Sequence, residues 1–134
     1  MLSLDSIRDY IASLGVTAND SVYIGKLDNK KQHSIGVYHR KGSGAPVMAL
    51  GGRGCSSYDI CRISLLVHWD KNPVQSEQAA YGLYEKLGNV SSLSIGDTHI
   101  HYLRLMVPEP QDVGTDDSGV YESVIWLDFI YQRE

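Results

Sequence analysis

The chain has 134 residues, of which 43% are hydrophobic, 21% charged and 9% aromatic. Because this is the composition of an ordinary globular protein, disordered, collagen-like and disulfide-dense classes are excluded, and a single domain over residues 1–134 is expected. The two cysteines, Cys55 and Cys61, are too few for a disulfide framework. Since no apolar run reaches about 18 residues and the N-terminus lacks a signal-peptide pattern, we expect synthesis in a cytoplasm, free thiols and no membrane partner.

Charge is distributed unevenly along the chain, although the net charge is only −4. This balance argues against generic binding to nucleic acid. Between positions 26 and 62, two acids (Asp28 and Asp59) accompany seven bases: Lys26, Lys30, Lys31, Arg40, Lys41, Arg53 and Arg62. Between positions 97 and 134, two bases (Arg104 and Arg133) accompany eight acids: Asp97, Glu109, Asp112, Asp116, Asp117, Glu122, Asp128 and Glu134. The pattern indicates either two solvated surfaces or complementary faces that pack against copies of the chain or a partner.

The N-terminal part of the chain predicts a helix followed by two strands. Apolar residues at helical spacing follow Ser3, a plausible N-cap, and Gly15 provides a stop. The segments Ser21–Leu27 and Ser34–Arg40 have strand composition, and Asp28–Asn29 between them suits a turn. A β-hairpin is the simplest arrangement of these two strands.

The middle of the chain combines a glycine-rich segment with the clearest strand and a second helix. Lys41–Ser57 contains five glycines and Pro46, so it indicates a functional loop or a long hairpin arm with sharp bends. Tyr58–Trp69 alternates between apolar and polar side chains, which predicts a strand. Asn72 is the predicted N-cap of the helix that follows, and Gly88 its end.

The C-terminal part predicts two further strands separated by a turn. Thr98–Val107 is the first strand, and Pro108–Pro110 stops it. An acidic turn is expected over Gln111–Gly119, and the last strand over Val120–Arg133.

The predicted order is therefore α-β-β-β-α-β-β, which is typical of an α+β fold. We expect a mostly antiparallel or mixed sheet of four to five strands, with both helices on one face. Large apolar residues, among them Leu66, Trp126 and Ile130, fall on the opposite face of the sheet. If the helices cover one face only, something else must cover the other, which points towards self-association.

No motif in the sequence assembles an active site, a metal site or a cofactor site. His99 and His101 could form a metal pair, but the further ligands of a zinc site are missing, so surface histidines on an edge strand are expected. Gly51–Gly54 lacks the Lys-Ser or Lys-Thr ending of a phosphate-binding loop. The acids of Gln111–Gly119 lack the alternation of an EF-hand loop, and Cys61 alternates with core residues. We predict no catalytic residue, no metal and no cofactor.

Several segments together resemble the phage minor capsid proteins of the tail-terminator type, found in long-tailed phages and prophages. After the N-terminal helix these are the strand Val22–Gly25, the strand end Trp69–Asp70, the helix Ala79–Leu87, the stop Pro108–Pro110 and the turn Gly114–Gly119. The similarity covers nearly the whole chain and consists of an order of elements rather than a sharp motif.

The resemblance implies a structural virion protein, assembled in the cytoplasm of a bacterial host and located in the tail or at the head–tail junction. Members of the tail-terminator family form hexameric rings that cap the tail tube, stop its growth and face the head connector. The implied partners are copies of the chain, the major tail tube protein and a head-completion or connector protein, while DNA only passes through the lumen. Candidate interface residues are Arg40, Lys41, Arg53, Asp112, Asp116 and Asp117, because a head-to-tail ring needs two different patches.

Two other functions remain open at this stage. A neck protein could join head and tail without stopping tube growth. A small ligand-binding or enzymatic α+β domain would use the glycine-rich segment as a lid over a concave pocket lined by Arg53, Tyr58 and His68.

Overall fold

The computed structural model describes residues 2–25, 31–40, 58–90 and 93–132. Within these ranges the chain forms an α+β fold with a mixed, strongly curled sheet. The helices are α1 (Leu4–Ser13) and α2 (Pro73–Gly88), and a short 3₁₀ turn spans Asn19–Ser21. The strands are β1 (Val22–Ile24), β2 (Ser34–His39), β3 (Tyr58–His68), β4 (Leu93–Ile95), β5 (Thr98–Leu105), β6 (Gln111–Thr115) and β7 (Tyr121–Gln132). Their spatial order is β1-β2-β3-β7-β5-β4, and β6 pairs with β7.

Both helices begin at the residues that the sequence predicts. The side chain of Ser3 accepts a hydrogen bond from the backbone N–H of Ser6, which satisfies one free donor of the first turn. Asn72 Oδ1 accepts from the N–H groups of Val74 and Gln75, at 3.0 and 3.2 Å. Neither of the helices in the described ranges is long and apolar enough to span a membrane.

The centre of the sheet is the antiparallel pair β3–β7, which runs from Tyr58 opposite Gln132 to His68 opposite Glu122. Because side chains alternate along a strand, their odd-numbered residues point to one face and pack against both helices. The buried cluster on that face includes Ile7, Ile11, Ile63, Leu65, Leu83, Leu87, Ile125, Leu127 and Phe129. The predicted alternation of both long strands is confirmed, and it gives the sheet a core face and an opposite, outer face.

The predicted hairpin between the first two strands is wrong, because β1 and β2 are parallel. Val22 lies opposite Ile35, and Ile24 opposite Val37. Parallel neighbouring strands usually need a long crossover connection. Because β1 has only three residues, the distance from its end back to the level of its start is only about 10 Å. The pattern of apolar residues carries no information about strand direction. The turn predicted at Asp28–Asn29 lies outside the described residues.

The predicted strand count is also wrong, since β4 and β6 were not expected. β6 occupies the first half of the segment predicted as an acidic turn, Gln111–Gly119, and its five residues are all exposed. It forms because the N-terminal part of β7 offers a free edge beyond the point where β5 ends. A bulge between Asp112 and Gly114 interrupts the pairing, and Gly114 takes the positive φ of 92° that favours glycine.

The outer face is only partly as apolar and open as the sequence predicts. Trp126 is 45% exposed, whereas Leu66 is half-buried. Ile130 is only 4% exposed, because Ile60 and Tyr102 flank it on the neighbouring strands. The exposed aromatic rings of Trp126 and Tyr102 are therefore prominent on the described part of this face.

Candidate functional site

A buried carboxylate held by two arginines lies on the outer face of the sheet. Asp128 is 1% exposed. Its Oδ1 accepts a hydrogen bond from Arg40 Nη2 at 2.7 Å, and its Oδ2 accepts one from Arg104 Nη2 at 2.8 Å. The bond from Asp128 raises the pKa of Arg104 above its usual value. Both carboxylate oxygens are thus occupied, as a buried charge requires.

Strand register explains why these charges meet. Asp128 lies opposite Arg62 on β3 and opposite Arg104 on β5, so an arginine flanks it on each side. Arg40 follows β2 directly, and its N–H donates to the carbonyl of Arg62 at 3.0 Å. The guanidinium of Arg40 also lies 5.5 Å from the centre of the Trp126 ring, within cation–π range.

Arg62 and Arg104 line a depression of about 470 Å³, which we call the basic depression. The other residues of its lining are Tyr58, Ile60, His101, Tyr102 and Ile130. Among the described residues, the side chain of Arg62 has no hydrogen bond or ion pair. Three arginines surround one carboxylate here, so the local charge is positive although the chain as a whole is negative. This combination of Arg and Tyr is typical of protein interfaces.

The opposite end of β7 carries the connection from β6. We call residues 116–119, the part of the predicted Gln111–Gly119 turn that follows β6, the acidic turn. Asp116 Oδ1 accepts from the N–H groups of Ser118 and Val120, both at 2.9 Å. These backbone bonds, that of Val120 above all, lower the pKa of Asp116. Asp117 is exposed, and among the described residues its carboxylate has no partner.

A buried histidine connects the acidic turn to the sheet. His68 is 0% exposed, and its Nδ1 lies 3.0 Å from Glu122 Oε2. Its Nε2 lies 3.7 Å from Asp116 Oδ2, beyond hydrogen-bond distance. Since Tyr58 and His68 stand at opposite ends of β3, they do not line one pocket. The lid-covered pocket of the ligand-binding alternative therefore does not form from these two residues.

A second depression, of about 300 Å³, lies between α2 and the β6–β7 hairpin on the helix side of the sheet. Three acids, Glu77, Glu109 and Asp112, line it, and none of the described residues around it is basic. Tyr81 donates a hydrogen bond to Glu109 at 2.7 Å, which raises the pKa of the Tyr81 phenol. The molecule thus has positive and negative surfaces at different ends and on different faces of the sheet.

The structure gives several predicted interface residues a role within the chain itself. Arg40 is bound to Asp128, Asp116 closes its own turn, and Asp112 Oδ1 accepts from the N–H of Gly114 at 2.8 Å. Asp117 remains exposed. Lys41 and Arg53 lie outside the described residues, as does the rest of the glycine-rich segment. The sequence analysis missed that Arg62, Arg104 and Asp128 are neighbours, because only the register of three strands brings them together.

The two histidines considered as a possible metal pair lie close together. The rings of His99 and His101 lie 5.1 Å apart, nearly perpendicular to each other. In the described parts of the chain, no group of three or more His, Cys, Asp or Glu side chains is arranged to hold a metal ion. The expected edge strand is wrong at His99, which pairs with Ser94 of β4.

The Cys61 side chain is a core residue rather than a nucleophile. It is 9% exposed and lies within the buried cluster. Burial, with a smaller contribution from Asp128, raises the pKa of its thiol to about 11. Because the thiolate is the reactive form, this thiol is unreactive near neutral pH.

Comparison with known proteins identifies the chain at the level of its family. A search of curated proteins found no match. The family model described as "Bacteriophage tail terminator protein" matches residues 10–133, which is nearly the whole chain and includes α2 and all seven strands. The resemblance noted in the sequence is thereby confirmed, and the chain belongs to this family of phage tail proteins.

Proposed function

We propose that this chain caps the phage tail tube as a ring of identical copies, stops tube growth and forms part of the head–tail joining interface. The observation that carries the proposal is the family match over residues 10–133. The proposed partners are other copies of the chain, six in a complete ring, together with the major tail tube protein and a head-completion or connector protein. DNA passes through the lumen, and assembly takes place in the host cytoplasm. The role is structural and not enzymatic.

The charge distribution of the protomer supports association with copies of itself. A head-to-tail ring brings two different patches of each protomer together. The basic depression lies on the outer face near one end of β7, and the acidic turn lies near the other end. The exposed Trp126 adds an apolar contact beside the basic surface. Opposite charges on separate patches favour a polar, oriented contact over symmetric face-to-face pairing.

The proposal is tested by deleting the gene from a phage or prophage that carries it and imaging the particles by electron microscopy. We expect tails of uncontrolled length that do not join heads, and a return to one length when the wild-type chain is supplied. Unattached tails of normal length would instead identify a neck protein without terminator activity. Normal, complete particles would refute both roles. Light scattering of the purified chain at high concentration determines whether a ring forms before it meets the tube.

A further inference from the structure

We infer that the basic depression binds the acidic turn of a second copy, with Asp117 of that copy against Arg62. This inference rests on the proposed ring, and it specifies which surfaces meet within it. The two residues share one property: among the described residues, neither side chain has a hydrogen bond or an ion pair. As far as the described part of the chain goes, each is therefore available to another molecule without breaking an existing contact.

The depression is suited to a carboxylate. Arg104 is fixed by its bond to Asp128, although its side chain remains 47% exposed. Arg62, on the other side of β7, lines the same depression and has no side-chain partner among the described residues, so both guanidinium groups can donate to a ligand in the depression. Charge-assisted bonds of this kind are among the strongest hydrogen bonds in proteins, and arginine forks match the geometry of carboxylates. Tyr102, which is 47% exposed, adds an aromatic wall with a hydroxyl group.

The acidic turn is accessible, held in one conformation and opposite in charge to the depression. All five residues of β6 are exposed, so this strand of the β6–β7 hairpin is accessible to another molecule. Asp116 holds the turn rigidly through its bonds to Ser118 and Val120. Asp117 is thus presented on a preorganised loop, which reduces the entropy lost on binding. Its charge is opposite to that of the depression.

A second copy fits this surface better than DNA does. The chain has a net charge of −4, so a nucleic acid backbone would meet repulsion from most of the protomer. The lining contains tyrosine and isoleucine beside the arginines, and such surfaces are typical of protein partners. Opposite patches on one chain also generate a head-to-tail series of contacts, which closes into a ring when the rotation allows it.

Charge exchange tests the contact. Arg62→Glu and Asp117→Lys are each expected to raise the dissociation constant of self-association at least about tenfold, measured by sedimentation at low salt. The double variant Arg62→Glu/Asp117→Lys restores opposite charges, and its constant is expected to return to within about threefold of wild type. Lys71→Glu, an equal change of charge at an exposed residue of the β3–α2 connection, is the matched control and should have no effect. The conservative variant Arg62→Gln, together with circular dichroism of every variant, tests whether a loss of self-association reflects misfolding.

If copies associate only on the tail tube, the same variants are scored by the fraction of tails of normal length in the complementation assay. Normal behaviour of Arg62→Glu, or a double variant as defective as the two single variants, overturns the inference. Binding of a labelled DNA duplex that Arg62→Glu abolishes identifies DNA as the occupant and also overturns it. If Arg62→Glu still restores tail length, the proposed function stands without this contact; if wild type itself fails to restore it, the proposed function falls.

Discussion

Removing the charge of Asp128 tests whether the arginine–aspartate cluster stabilises the outer face. Asp128→Asn keeps the shape of the side chain but replaces two charge-assisted hydrogen bonds by at best one weaker bond. The bond to Arg40, whose side chain is only 16% exposed, accounts for most of the expected loss. Hydrogen bonds to charged groups contribute about 1.5–3 kcal/mol each. Arg104 is 47% exposed, so solvent screens its charge and its bond adds about 1 kcal/mol or less.

The expected loss in the free energy of unfolding is therefore about 3 kcal/mol, which corresponds to a decrease in Tm of roughly 10 °C for a domain of this size. Urea unfolding followed by circular dichroism measures it, at a concentration low enough for the chain to be monomeric. Asp117→Asn is the matched control, because it removes the same charge from an exposed side chain and should change the stability by less than about 0.5 kcal/mol. An Asp128→Asn protein as stable as this control would show that the buried cluster contributes nothing.

Four further predictions follow from the core, a helix end and the titrating groups. Leu83→Ala should cost about 2–5 kcal/mol of unfolding free energy, because Leu83 is fully buried, and urea unfolding measures this. Asn72→Ala should cost about 1 kcal/mol, because Asn72 Oδ1 caps two N–H groups; Asn72→Asp is the variant that should keep the cap. Burial alone would raise the pKa of Asp70, but hydrogen bonds from His33, Asn72 and Ser76 lower it. The stabilisation that this carboxylate provides should therefore be fully present above the unfolded-state pKa of about 4 and be lost as the pH falls through the lower folded-state pKa. Asp70→Asn should weaken this pH dependence. In a Cys55→Ser background, native Cys61 should not react with a thiol reagent at pH 8, because its pKa is about 11, whereas the unfolded chain should react.

Local signals in the sequence predict the helices and the central strands well. Ser3 and Asn72 are caps whose effect depends only on the next three residues, so their positions can be found without knowing the fold. The alternation of β3 and β7 is equally local, since an eleven- or twelve-residue strand between core and outer face leaves a long period-two pattern. β4 has only three residues and carries too little pattern to stand out from a loop.

The candidate interaction surfaces could not be predicted in the same way. Arg40, Arg62, Arg104 and Asp128 lie on four different strands or strand ends, and their meeting depends on the register β2-β3-β7-β5. A sequence pattern gives the face on which each residue lies but not its neighbours across the sheet. The parallel pairing of β1 with β2 was missed for a related reason, since direction depends on how the chain returns. The assignment to the phage tail proteins rests on the resemblance of nearly the whole chain to that family, and these four residues alone do not carry it.

The irregularity within β6 has a consequence for how the protein behaves at high concentration. An exposed edge strand of a sheet is a template to which strands of further chains can add without limit, as in amyloid. In β6 the bulge between Asp112 and Gly114 breaks the regular row of backbone donors and acceptors. The negative charge of Asp112 also repels the same edge strand of another copy. This irregular edge strand therefore discourages the unlimited addition of strands from other chains.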